Sequence, residues 1–228
     1  VKLHGAGFII DSQDQSKFPD SPLIKKFVNG RDIAQRSRGA SVIDLYGLTD
    51  IEIQRDHPQI YQRVLEQVKP ERDQNNREIY RKKWWIWGEP RSEWREAIAD
   101  LDFFFATART ARHRLFLTLP NDITIESKVV GLAIEGSANL AILSSTAHTC
   151  FAFATGGWLG VGNDATYNHT GCFNPFPFPA LADAQSAYLD QLGERLDAFR
   201  KERLAAHDFL TMTDMYNVLE RYRELDAK

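Results

Sequence analysis

The sequence predicts an α/β (α+β) domain followed by a C-terminal helical hairpin, and three observations carry that expectation. Short β-branched and aromatic runs bounded by Gly and polar residues recur through the first 145 positions, as buried strands do. Helical start and stop signals lie between them. After Pro179 the texture changes to apolar residues spaced three and four apart, the pattern of an amphipathic helix.

Taken in order, "GAGFII" (5–10) and "ASVIDLY" (40–46) read as strands, and "FPDSPLIKKFVNGRDI" between them reads as loop and turn. Thr49-x-x-Glu52 is a capping box opening a helix. Pro58 starts the main helix in its first turn, carrying Ile60, Val64 and Val68, and Pro70 marks its end. Strands are expected at "LDFFFATART", "RLFLTL", "SKVVGLAIE" and "NLAILSS". "SSTAHTCFAFATGG" reads as a helix capped by Ser144 or Ser145 and closed by Gly156 and Gly157. A loop of about 20 residues, with Trp158 and Leu159 as buried anchors, then runs to Pro179; loops that long usually serve a function. Leu189, Leu192, Leu196 and Phe199 define one C-terminal helix. Thr211-x-x-Asp214 opens a second, with Met215, Tyr216, Leu219, Tyr222 and Leu225 along one stripe. The expected division is residues 1–179 as one domain and 180–228 as helical spacer.

Composition bounds the function. There are 228 residues, 43% hydrophobic and 26% charged, with net charge −3, ordinary values for a globular protein. No apolar run approaches the roughly 18 residues of a membrane span. The start on a strand-like run without Met leads us to expect a fragment of a longer polypeptide. Two cysteines outside any metal spacing suggest reduced thiols in a cytoplasm. Charge is uneven: residues 180–228 hold 7 Lys+Arg against 10 Asp+Glu, whereas the rest holds 21 of each. The basic residues of that balanced part cluster at 69–83 and 109–114, so it can present a positive face.

Catalytic chemistry finds little support. Gly157, Gly160 and Gly162 run G-x-x-G-x-G, neither a dinucleotide fingerprint nor a P-loop. Asn174-Pro175-Phe176-Pro177 departs from the Asn-Pro-Pro-aromatic motif of amino-methyltransferases, because Phe176 replaces the second Pro. Its prolines and aromatics instead suit a rigid exit from the domain. No Gly-x-Ser-x-Gly elbow exists, and His148 on an apolar helix reads as a satisfied core histidine. No catalytic or metal-ligating residue and no cofactor of this chain is expected.

Binding fares better. DNA recognition needs cations for phosphates and side chains that reach base edges. "ERDQNNREIYRKKWW" supplies Arg77, Arg81, Lys82 and Lys83; "TARTARHR" supplies Arg109, Arg112, His113 and Arg114; "VGNDATYNHT" supplies Asn163, Asp164 and Thr166. The other reading of the residues is a protein-interaction module acting through the C-terminal helices.

Several segments also carry a resemblance: "VIDLYGLT", "VKPERDQNNREIYRKKWWIWGEPR", "TARTARHRLF", "AILSSTAHTCFAFATGGWLGVGNDATYN", "CFNPFPFP" and "MYNVLE". In that order they resemble the target-recognition segment of MmeI-like adenine-specific DNA methyltransferases, large bacterial restriction–modification or phage-defence enzymes, and the recognition domains of type I specificity subunits. The resemblance implies a recognition domain with a mixed or antiparallel sheet, binding double-stranded DNA in the cytoplasm. Methyl transfer and S-adenosylmethionine would belong to an upstream methyltransferase domain of the parent, the chain's protein partner. By the same resemblance Arg112, Arg114, Asn163, Asp164 and Thr166 are candidates for base contact. Arg77, Arg81, Lys82, Lys83, Arg109, His113 and Lys128 are candidates for phosphate contact.

Overall fold

A computed structural model of the chain describes residues 1–11, 13–18, 21–159 and 164–226. Its strands are β1 (Ile9–Ile10), β2 (Ile24–Val28), β3 (Ser41–Ile43), β4 (Phe103–Ala108), β5 (Thr110–Ala111), β6 (Leu117–Pro120), β7 (Thr124–Ile125), β8 (Val129–Leu132), β9 (Trp158–Leu159) and β10 (Asp164–Thr166). Its helices are α1 (Gly30–Ala34), α2 (Asp50–Asp56), α3 (Pro58–Gln67), α4 (Lys69–Asp73), α5 (Glu78–Lys82), α6 (Ser92–Ile98), α7 (Ala138–Leu143), α8 (Thr146–Thr155), α9 (Asp183–Ala206) and α10 (Met212–Asp226). The fold is mixed α+β, with antiparallel and mixed sheets and a C-terminal helical pair. Two compact units divide it: Val1–Val28 with Arg38–Ala97 and Asp122–Ser127, and Asn29–Ser37 with Ile98–Asn121 and Lys128–Lys228.

In the first unit a four-stranded sheet of order β1-β3-β2-β7 is antiparallel except where β2 pairs parallel with β7. Phe8, Ile10, Val42, Ile43, Ile53, Val64 and Val68 form its core with Trp84 and Trp87. The Thr49–Glu52 capping box forms as expected, the Glu52 carboxylate accepting from the Thr49 N–H at 2.8 Å. Pro58 does begin α3. Pro70, however, sits in the first turn of α4, where a missing N–H costs nothing. Arg72 of the basic run is buried, donating to the Leu3 and Ile86 carbonyls at 2.8 and 2.9 Å and lying over the Tyr80 ring. Arg95 grips Asp44 bidentately at 2.7 and 3.0 Å.

The second unit holds two antiparallel sheets, β6-β4-β8 and β5-β10-β9. Phe105, Phe116, Val130, Leu132, Leu140, Leu143 and Tyr167 make its core. Ser145 caps α8, its hydroxyl accepting from the His148 N–H at 3.2 Å. Three expectations are corrected. "NLAILSS" is helix α7, because a helix-period apolar pattern (Leu140, Leu143) outweighs the strand-like run. "IKKFV" inside the expected loop is β2, and Asn29 then caps α1 through a capping box with Asp32. The expected long loop carries β9, β10 and a π-helical turn, His169–Phe173. The Pro-rich exit is a stack of edge-on rings: Phe176 meets His148 at 4.6 Å, Phe151 at 5.3 Å and Phe178 at 5.0 Å.

Helix α9 lies against α7. The Asp190 carboxylate accepts from the Ala138 N–H at 2.6 Å, Leu196 packs on the core, and Arg200 is buried. Phe199, expected on that stripe, is 54% exposed. Its neighbour Arg200 takes the inward position, donating to the Phe116 carbonyl at 2.8 Å and to the Tyr216 hydroxyl.

Candidate functional site

Cations of the first unit gather on and beside α5. Arg77 precedes the helix and donates to the Tyr80 hydroxyl at 3.1 Å, its guanidinium 5.6 Å from that ring. Arg81 reaches back to the Asn75 carbonyl at 2.5 Å. Lys82 pairs with Glu78 at 2.8 Å across one helical turn, both ends largely exposed. Lys83 follows at the C-cap. All four are exposed, and an exposed helix pair is weak enough for an incoming anion to displace.

In the second unit the small sheet β5-β10-β9 has one face open. Its register pairs Thr110 with Thr166, Ala111 with Ala165, Trp158 with Ala165, and Leu159 with Asp164. Directly opposed residues share a face and neighbours alternate. Thr110, Thr166, Asp164 and Leu159 therefore line one face; Ala111, Ala165 and Trp158 line the other. Ala165 is 2% exposed, which makes its face the inner one. Trp158 lies 5.8 Å from Phe153. Both Trp158 and Leu159 are about half exposed, so they are not the buried anchors the sequence suggested; among the described residues β9 is the edge strand of its sheet. Gly157 completes the outer face. Its carbonyl accepts from the Thr166 N–H at 2.8 Å, and a Cβ there would stand 3.0 Å from the Thr166 hydroxyl.

The residues following β4 separate into different roles. Arg109 is held by its backbone, its N–H donating to Lys128 and its carbonyl accepting from Tyr167, each at 2.7 Å. Among the described residues nothing takes its exposed guanidinium. Lys128 is exposed beside it. Arg112 pairs with Glu220 of α10 at 3.0 Å on the surface. His113 bonds Asn217 at 2.8 Å through Nε2. Asn163 lies outside the described residues.

Arg114 does not face solvent. It is 3% exposed and donates to the Thr107 hydroxyl (3.0 Å), the Ala108 carbonyl (2.5 Å) and the Ala165 carbonyl (3.0 Å), with Tyr167 beneath its guanidinium. Burial pulls it down to about 10, still fully charged at neutral pH. Its sequence neighbours Arg112 and His113 turn outward, but the 114 position falls under β10. We place it in the scaffold and not among the base contacts.

His148 sits beside this cluster, fully buried as the sequence suggested. Its Nδ1–H donates to the Leu143 carbonyl at 3.0 Å, leaving Nε2 to accept from the Tyr167 hydroxyl at 3.2 Å. Burial pushes His148 below the usual histidine range; the Leu143 bond opposes this, and nearby Arg114 reinforces it. Burial likewise raises the Tyr167 hydroxyl. A histidine with a depressed folded value binds its proton more readily when unfolded. Stability is therefore full above about pH 6.5 and falls as the pH drops below it. Urea midpoints at about pH 7.5 and about pH 5 should show this acid loss in the wild type and a smaller loss in His148→Gln. Equal losses would remove His148 from the acid limb.

Among the described residues no group of three or more His, Cys, Asp or Glu is placed to hold a metal ion, and no helix is long and apolar enough to cross a membrane. Cys150 and Cys172 are unpaired.

With this geometry in view, one solved structure is informative. The chain is similar to part of the Type IIL restriction-modification enzyme MmeI, solved in complex with DNA, with a TM-score of 0.70 and 17% identity. The likeness is one of fold. It covers 94% of this chain and 28% of that enzyme, so the chain spans under a third of its length. No family model matches the chain, and no curated protein does.

Two members of the open face, Thr110 and Leu159, escape a reading of the sequence. They are 49 residues apart and join one surface only through β10. No local pattern announces such a pairing.

Proposed function

We propose that the chain is the DNA target-recognition part of a restriction–modification enzyme, choosing the site on double-stranded DNA while lacking methyl transfer itself. The observation that carries this reading is the fold match over 94% of the chain to a portion of an enzyme solved with DNA. Arg77, Arg81, Lys82, Lys83, Arg109 and Lys128 would hold phosphates. Asp164 and Thr166 would face base edges, and Asn163 is a further candidate for base contact. Arg112 would join them by exchanging its exposed Glu220 partner for DNA, whereas His113 stays tied to Asn217. S-adenosylmethionine and the adenine-specific catalytic motifs would belong to the parent's methyltransferase domain.

Fluorescence anisotropy on mixed-sequence duplex DNA, titrated with salt, tests this. Binding should weaken steeply as salt rises, because phosphate contacts release counterions. Arg109→Ala should flatten the log–log slope by about 0.9 and weaken all sequences alike. Absence of binding at about 20 mM salt would count against the proposal.

One observation favours a second reading, a protein-interaction module. Val218, Leu219, Tyr222 and Leu225 of α10 are 40–66% exposed on consecutive turns. Retention on heparin at low salt separates the two: a DNA-binding chain is held, whereas an interaction module of net charge −3 passes through.

A further inference from the structure

The open face of β5-β10-β9 is more apolar than a base-reading surface built only from hydrogen-bonding groups. Leu159 is 53% exposed at its outer edge, and the face carries Thr110 and Thr166, each with a methyl group beside its hydroxyl. An exposed leucine alone means little. Here it lies in register with two threonines and Asp164 on one short sheet. Trp158 and Phe153, 5.8 Å apart, back the same edge strand. That contact turns Trp158 to the inner side, and by alternation Leu159 to the outer one.

Dimensions and charge decide what such a strip fits. Neighbouring strands lie about 5 Å apart, so β9 and β10 form a narrow antiparallel ribbon. The major groove of duplex DNA, about 12 Å wide, admits a two-stranded ribbon, whereas the minor groove, about 6 Å wide, is too narrow for one. Arg109 immediately precedes Thr110, and exposed Lys128 is joined to Arg109 through the backbone. These cations stand at the end of the strip, where phosphates flank a groove. Within the major groove the apolar feature on base edges is the C5-methyl of thymine, which apolar groups and threonine methyls contact.

Resting on the proposed DNA-binding function, we infer that Leu159, with the methyl groups of Thr110 and Thr166, reads thymine methyl groups in the major groove. Asp164, opposite Leu159, accepts a hydrogen bond from an adjacent exocyclic amino group. Leu159 and Thr110 are thereby specificity-determining positions.

The test compares two random-sequence duplex pools identical except that one contains deoxyuridine wherever the other contains thymidine, which removes only the methyl groups. After selection of the preferred sequences, wild type should bind the thymidine duplex several-fold tighter, about threefold to fourfold for each methyl group buried. Leu159→Ala, a half-exposed edge position whose loss leaves the core intact, should lose the larger part of this preference, the Thr110 and Thr166 methyl groups keeping the rest. Thr110→Ser, which deletes a methyl and keeps the hydroxyl, should narrow the preference without abolishing it. A preference that persists undiminished in Leu159→Ala would belong to duplex shape and would overturn the inference. Equal binding of both pools by wild type, with steep salt dependence retained, would overturn it while leaving DNA binding intact. Failure of wild type to bind either pool would overturn both.

Discussion

Arg114→Ala should lower the unfolding free energy by about 2–4 kcal/mol, read as a lower urea midpoint near neutral pH. The substitution leaves the Ala108 and Ala165 carbonyls and the Thr107 hydroxyl without their donor inside the unit, and each buried polar group left unpaired costs about 1–3 kcal/mol. It also empties the space above the Tyr167 ring. Against this stands relief from burying a charge, a burial strong enough to bring the guanidinium down to about 10. Relief is the smaller effect, because the three bonds already compensate much of that burial and vanish with the side chain. Arg114→Met separates the contributions: it refills the volume and leaves the acceptors unpaired, so it should recover only part of the loss. An unchanged midpoint, with weakened binding confined to one base pair, would return Arg114 to the base-reading surface.

The reach of Arg114 explains its position. Its bonds join the end of β4 to β10, so one guanidinium holds the base of the open face to the larger sheet. The sequence shows "TARTARHR" as an undivided basic run, yet the structure sends Arg109 to solvent, Arg112 and His113 to α10, and Arg114 inward. Charge patterning identifies such a run as important but does not sort its members, since sorting depends on which residues later in the chain return to cover them. Here the cover is Ala165 and Tyr167, 51 and 53 positions on.

Elements defined by local chemistry were legible. The Thr49–Glu52 and Ser145 caps, the Pro58 start, the buried His148 and the two C-terminal helices all follow from residues within a few positions of one another. The strands β9 and β10 were not legible, because two and three residues beside glycines look like loop until partners are supplied. Helix α7 was misread for a related reason: "NLAILSS" is apolar enough for either state, and its helical N-terminus is completed by Asp190, about 50 residues downstream. The open face inherits this limit. Asp164 and Thr166 could be nominated from their polarity, while Leu159 was assigned to the core by its type.

Gly193→Ala should cost about 2 kcal/mol, although propensity alone predicts the opposite sign. In an exposed helix interior, Ala in place of Gly is worth about 1 kcal/mol of added stability, and α9 is a 24-residue helix with Gly193 well inside it. A Cβ at 193 would lie 2.0 Å from the Ser137 carbonyl oxygen and 2.8 Å from its carbon. Those are backbone atoms, so no rotamer change relieves the contact; the helix itself must move. Overpacking of that kind costs about 1–3 kcal/mol, and the displacement would also stretch the Asp190–Ala138 bond one turn away, at 2.6 Å. Packing therefore outweighs propensity. Urea unfolding should show a lower midpoint for Gly193→Ala, and Gly193→Val, larger and β-branched, should fall further. A raised midpoint would mean that α9 does not approach α7 this closely. The small residue at 193 then sets how near α9 comes to α7, and Leu196 and Arg200 on the same side of the helix reach the core only at that distance.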